Sequence, residues 1–226
     1  MDNYIILSEK KWNKDLVEFG NSNFPNTVWT LIENNKMFTL SELNKINPKK
    51  IFVPHWSYKI PEEIFNKYEC VLFHMTDLPF GRGGTPLQNL IYLGYNKTKI
   101  SAIRVENGID TGPVYLKKDL ELNGSGREIF IRSNEVIKTM IFEIISENLK
   151  STPQVGEPYF FKRRKKEDGN LDKTNSIEEF YNFIRMLDID GYPPAYLEFG
   201  NFRLEFSRAS LLEKEIIISD VRITKK

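Results

Sequence analysis

Short apolar runs alternate with amphipathic segments through the first half of the chain. NYIIL (3–7), TVWTLI (27–32), IFVP (51–54) and the run Cys70 to Phe73 have the length and β-branched or aromatic content of buried strands. Between them, residues 9–20 place Trp12, Leu16 and Phe19 at helical spacing. SELNKINP (41–48) reads as a short helix stopped by Pro48, and PEEIFNKY (61–68) as a helix with Pro at its start and acids in its first turn. Strand-helix alternation of this kind predicts an α/β fold, a doubly wound, mostly parallel sheet with helices on both faces. ISAIRVE and VYLKKDLEL add two further strands. Residues 127–149 carry apolar residues at Ile129, Phe130, Ile137, Met140, Ile141, Ile144 and Ile145, the stripe of a long helix laid on the sheet. STPQVGEP (151–158) breaks the periodicity and predicts a linker. The expected division is a large domain over 1–152 and a small C-terminal α+β subdomain over 153–226. The latter holds a helix at 176–187, with Ser176 and Glu179 as a capping box, then a β-hairpin and a last strand at 215–221.

Charge changes this picture little. With 32 basic and 31 acidic residues the formal net charge is +1, which gives no global pull toward nucleic acid. The basic cluster Lys162 to Lys166 could form an RNA patch. Glu167, Asp168 and Asp172 offset it, and a solvated turn is the expected reading. A lone cysteine, Cys70, excludes an internal disulfide and belongs to the core. No apolar run is long enough to span a bilayer and the N-terminus lacks the form of a signal peptide, so a cytoplasmic protein without membrane contact is expected.

The chemistry gathers at residues 69–86, ECVLFHMTDLPFGRGGTP. His74 sits where the strand from Cys70 should end. A loop with Pro79, Gly81, Arg82, Gly83 and Gly84 follows, and Thr85-Pro86 opens a helix, PLQNLIYLG. Ligands in open α/β sheets bind beyond the carboxyl ends of strands, where this loop is expected. A second stretch, ENGIDTGPV (106–114), brings Asp110 to a tight loop between Gly108 and Gly112.

The two stretches together resemble the folate-dependent formyltransferases. His74, Leu78, Pro79, Arg82, Gly83 and Pro86 match that family's Asn-x-His and Leu-Pro-x-x-Arg-Gly-x-x-Pro pattern, and Gly108, Asp110, Thr111 and Gly112 match its later Asp-Thr-Gly element. Two positions depart. Leu72 stands where the family has a catalytic Asn, and the first Asp of the second element is not kept, Glu106 and Asn107 occupying that region. The tail GYPPAYLEFG and the segment around Arg163, Arg164 and Asp168 are similar to sugar N-formyltransferases.

The resemblance implies 10-formyltetrahydrofolate as cofactor, no metal, and a catalytic domain over 1–152. It implies His74 as general base, with Asp110 orienting the ring and stabilising its charged form. HWSYKIP (55–61) and ENGIDTG would enclose the pterin, through His55, Trp56, Tyr58, Ile109 and Asp110. His55 could instead be a loop residue, and Trp56 and Tyr58 could simply cover the sheet edge. Asp77 and Thr76 are expected to face the acceptor, and Arg82 either to bind its phosphate or to fix the loop. Without the Asn amide, the oxyanion donor is either His74 in its charged form or another amide such as Asn107 or Gln88. The favoured acceptor is the amine of a nucleotide-linked amino sugar, with a homodimer compatible. The alternatives are an enzyme acting on methionyl-tRNA or an amino acid, and an inactive folate- or nucleotide-binding homologue.

Overall fold

The computed structural model describes residues 1–226, the side chain of Lys11 excepted. They cluster into two compact units. The first comprises residues 1–82, 99–120 and 131–160, the second residues 83–98, 121–130 and 161–226. Neither is contiguous in sequence. The expected cut after 152 therefore differs from the spatial division, because 83–98 and 121–130 fold with the tail.

The first unit is built on β1 (Asp2–Leu7), α1 (Lys14–Asn23), β2 (Thr27–Ile32), α2 (Leu40–Ile46), β3 (Lys50–Val53), α3 (Glu62–Phe65) and β4 (Cys70–His74). After the two-residue β5 (Arg82–Gly83) and α4 (Pro86–Tyr92) come β6 (Lys97–Arg104), β7 (Val114–Glu121) and α5 (Gly126–Ser146), of which residues 131–146 belong to the first unit. The sheet order is β2-β1-β3-β4-β6-β7. β2, β1, β3 and β4 run parallel, as the alternation predicts, whereas β6 pairs antiparallel with β4.

The period-two alternation of strand side chains divides the strands' residues between two faces. On one face Ile5, Leu7, Ile51, Val53 and Cys70 join Leu43 of α2 and Ile64 of α3 in a buried cluster. On the other, aromatic rings cross the sheet. Tyr4 stacks on Trp29 (4.8 Å between centroids), Trp29 on Phe52 (5.8 Å) and Phe52 on Phe73 (6.3 Å). Stacked pairs of this kind add ~0.5–1.5 kcal/mol each to the burial itself. The expected helix over 61–68 shrinks to Glu62–Phe65, its chain turning away after Asn66 to enter β4.

The second unit contains α4, the two-residue β8 (Phe160–Phe161) in part, α6 (Ile177–Leu187), β9 (Ala195–Phe199), β10 (Phe202–Leu212) and β11 (Ile216–Lys225). The last three form an antiparallel sheet, with β10 in the middle. The final strand runs further than the expected 215–221, since Phe202 still pairs with Lys225. Ser176 caps α6 by accepting from the Glu179 amide at 3.1 Å, and the Glu179 carboxylate accepts from the Asn175 amide at 2.7 Å. Phe180 of α6 meets Phe206 of β10 edge-on at 5.8 Å, which lays the helix on the sheet.

Gly20 tests the aromatic face. A Cβ there would lie 2.2 Å from the Trp29 ring, which Tyr4, Phe24 and Phe52 hold by stacking. Helix propensity alone favours Ala over Gly by ~1 kcal/mol. Overpacking should win: Gly20→Ala should cost ~1–3 kcal/mol in urea unfolding. A more stable variant would show that the ring is free to shift.

Candidate active site

On β4 the alternation puts Cys70, Leu72 and His74 on the face of the α2–α3 cluster. His74 ends the strand and is only 7% exposed. Its Nε2 lies 2.8 Å from the Gly81 carbonyl, and its Nδ1 lies 3.6 Å from Oδ2 of Asp110, whose side chain is 11% exposed. A neutral imidazole donates from one nitrogen only, whereas a doubly protonated ring donates from both. Here each nitrogen faces an oxygen. The Asp110 distance exceeds a direct hydrogen bond. Contacts of this kind tighten when a reacting ligand is bound.

Asp110 reaches His74 by a route other than the expected one. In a fully parallel sheet the loops after the two strands would leave the same edge. In the structure Val71 pairs with Arg104 and His74 with Ser101, so β6 ends beside the start of β4. The amide of Val105 donates to the Cys70 carbonyl at 2.8 Å. From there to His74 is about 13 Å at ~3.3 Å per residue. The loop 105–113 covers that distance by folding back over the face of β4, with Val105 packed on the cluster beneath it. Leu72, also packed against that cluster and only partly buried, lies along this path.

Backbone geometry explains the glycines of this loop. Gly108 has φ +109°, and Asp110 itself takes φ 53°. A Cβ on Gly112 would fall 1.7 Å from the Arg104 carbonyl oxygen, so no other residue fits there without moving β6. Gln154 holds the loop from outside. Its Nε2 donates to the carbonyls of Asp110 and Gly112, each at 2.8 Å. Its Oε1 accepts from Arg82 Nε at 3.2 Å and Nη2 at 2.7 Å. The Arg82 and Gly81 amides in turn both donate to the Tyr159 carbonyl at 2.9 Å. Residues 151–160 thus bind both the loop that follows His74 and the loop that carries Asp110, and the reading of 151–158 as a linker is corrected. Nothing in a Pro- and Gly-punctuated stretch marked Gln154 as special.

The remaining expected residues fall in several places. Arg82 is spent on Gln154 and lies over the Phe160 ring at 5.9 Å, a loop-fixing role. Thr76, expected to face the cleft, is fully buried, with its hydroxyl 3.4 Å from the Gly81 carbonyl. Asp77 pairs instead with Lys117 at 2.5 Å. Gln88, weighed as a substitute donor, is buried in the second unit and donates to the Met186 carbonyl at 3.3 Å. Asn107 is exposed on the 105–113 loop.

Trp56 and Tyr58 lie 5.4 Å apart at 59°, and Phe38 meets Trp56 edge-on. The Trp56 Nε1 is buried and finds no acceptor among the described residues. A buried donor without a partner costs ~1–3 kcal/mol. An aromatic wall with an unmet donor fits a flat heteroaromatic ligand carrying acceptors. Ile109, 67% exposed at the loop tip, offers an apolar surface of its own. His55 packs against Trp12 at 6.5 Å, and its carbonyl accepts from the Ser8 hydroxyl. Burial pushes its pKa down to about 3, the Lys10 charge acting in the same direction. Among the described residues no cluster suits a metal, and no helix is long and apolar enough to cross a membrane.

Fold and site together define an α/β protein whose buried histidine–aspartate pair sits at a strand end, under a glycine-bounded loop. Among solved structures, a methionyl-tRNA formyltransferase from Clostridium thermocellum is 46% identical over the whole of both chains, with a TM-score of 0.96. A family model described as the C-terminal domain of methionyl-tRNA formyltransferase matches residues 166–224. The methionyl-tRNA formyltransferase of Clostridium botulinum (strain Alaska E43 / Type E3) is 28% identical across 78% of this chain and 59% of that protein. The chain thus spans about three fifths of the length of the curated relatives it matches. A sugar N-formyltransferase from Shewanella sp. FDAARGOS_354 shares the fold at 14% identity and a TM-score of 0.66, covering 100% of this chain and 98% of that one. The chain belongs to the folate-dependent formyltransferase family.

His55 gives the site a pH signature. Its folded pKa, about 3, lies below the ~6.5 of an unfolded histidine. Between these values the unfolded chain binds a proton that the folded chain does not. Stability is therefore complete above pH ~6.5 and is lost as pH falls toward 3. Urea midpoints at pH 7.5 and pH 5 should separate further for the wild type than for His55→Gln. Equal separations would place His55 outside the acid response.

Proposed function

We propose that this chain transfers the formyl group of 10-formyltetrahydrofolate to a primary amine, and that the amine is that of methionyl-tRNA. The observation carrying the chemistry is the His74–Asp110 pair, closed in by the Gly81 carbonyl. The full-length likeness to a protein named methionyl-tRNA formyltransferase supports the acceptor. The nucleotide-linked amino sugar expected from the sequence has support only from neighbours that share the fold at low identity.

The folate supplies the electrophilic formyl carbon. Trp56, Tyr58 and Ile109 would hold its ring, Trp56 Nε1 meeting one of the ring's acceptors. The chain's own chemistry centres on the His74 ring. Nδ1 stays beside the Asp110 carboxylate, which orients the ring, while Nε2 leaves the Gly81 carbonyl to take the amine's proton and then to donate to developing negative charge. Leu72 has no donor to contribute, and the Gln88 amide is engaged elsewhere. His74 then carries both tasks, with Asn107 the other amide in the first unit's loop.

The test is a transfer assay with purified chain and 10-formyltetrahydrofolate, comparing methionyl-tRNA with a panel of nucleotide-linked amino sugars. Formyl-methionyl-tRNA is the expected product. His74→Ala should lower turnover by ~10² or more while 5-formyltetrahydrofolate still raises the melting temperature. Formylation of a sugar and not of the tRNA would refute the acceptor; an unimpaired His74→Ala enzyme would refute the base.

A further inference from the structure

Tyr159, Phe160 and Phe161 stand in a row, and of the three only Phe161 is buried. Tyr159 is 52% exposed and Phe160 58%, although each already meets a neighbour on one side. Tyr159 stacks on Phe80, with centroids 5.2 Å apart and planes 21° from parallel. The Arg82 guanidinium lies 5.9 Å from the centre of the Phe160 ring. A single exposed apolar side chain is ordinary, whereas a gathered set beside a site marks a surface that meets a ligand.

Two series of contacts tie these rings to the His74–Asp110 pair. The Tyr159 carbonyl accepts from the amides of Gly81 and Arg82, each at 2.9 Å, and the Tyr159 amide donates to the Pro79 carbonyl at 3.2 Å. Gly81 is the residue whose carbonyl lies 2.8 Å from Nε2 of His74. On the other side, Gln154 binds the Asp110 carbonyl and Arg82 together, and Arg82 covers Phe160. The aromatic set is thus anchored to the backbone beside the imidazole and shares the brace of Asp110. Hydrogen bonds fix the backbone that carries the rings, so little freedom is lost when their open faces are covered.

A flat, preordered aromatic surface suits a flat π system, and nucleobases of every kind stack on such rings. Reach decides which base it takes. One ester and one ribose ring separate the amine of an aminoacylated nucleotide from that nucleotide's own base. A base stacked beside His74 therefore belongs to the nucleotide that carries the amine. The methionyl side chain is the other apolar group close to the amine, but it is flexible and has no flat face to match two rings.

We infer that Tyr159 and Phe160, backed by Phe80 and Arg82, form the stacking platform for the base of the acceptor's terminal nucleotide. The acceptor itself rests on the function proposed above, and the platform names the part of it that the protein grips next to the reacting amine.

The experiment measures binding without folate, so that it is independent of transfer. Two analogues that cannot lose their aminoacyl group are titrated by calorimetry: 3′-methionylamino-3′-deoxyadenosine and the same methionylamide on a ribose without a base. The variants are Tyr159→Leu, Phe160→Leu and the double variant, which keep apolar bulk and remove the flat faces. Each is checked by its melting temperature. The wild type should bind the adenosine analogue at least about tenfold more tightly than the abasic one. In the double variant that preference should shrink below about threefold, with affinity for the abasic analogue unchanged. Should the double variant fail to fold, Phe160→Leu alone should still reduce the preference. Three results overturn the platform: no preference for the base in the wild type, a full preference in the folded variants, or an equal weakening of both analogues, which would assign the rings to the methionyl side chain. Loss of the thermal shift with 5-formyltetrahydrofolate at an unchanged base preference would give the rings to the cofactor and overturn it as well. A base preference that depends on the rings, without transfer to methionyl-tRNA, would count against the proposed activity alone.

Discussion

One carboxamide joins the two loops on which the site depends. Gln154 gives both its N–H groups to carbonyls of the Asp110 loop and its oxygen to Arg82 of the His74 loop. Each bond is worth ~0.5–1.5 kcal/mol net, and more where the charged guanidinium donates. Their joint effect is geometric. The 105–113 loop lacks regular secondary structure, departs from the far end of β4 and carries a residue at positive φ, so it needs an external brace to keep Asp110 facing the imidazole.

The brace matters because of strand direction. Had β6 run parallel to β4, its loop would have emerged beside His74 without help. The antiparallel pairing sends it to the opposite end, and the return path crosses Leu72. That path gives a physical setting for the departure from the family's asparagine. An apolar side chain at 72 packs against the cluster of Ile64, Cys70 and their neighbours. An amide there would need a partner of its own or bear the cost of burial.

Much of the scaffold was legible from the pattern of residues. Continuous apolar runs in NYIIL, IFVP and from Cys70 located the parallel strands, since burial on both sheet faces leaves no polar alternation. Local motifs set His74 at a strand end and Asp110 on a tight loop, and their side chains lie 3.6 Å apart. Direction was not legible for β6, because composition does not encode which way a strand runs. Nor was the brace, because Gln154 acts through backbone carbonyls that carry no side-chain signature. The interleaving of 83–98 and 121–130 with the tail arises from packing between distant segments, such as Gln88 with Met186 and Arg185 with the Leu122 and Gly124 carbonyls.

If the proposed transfer depends on Gln154, it does so through the placement of Asp110. A double-mutant cycle on formyl-transfer turnover, using Gln154→Ala, Asp110→Asn and the double variant, separates placement from any other role. Gln154→Ala should slow the wild type but add little once Asp110 has been replaced. Independent, additive losses in the double variant would rule this out.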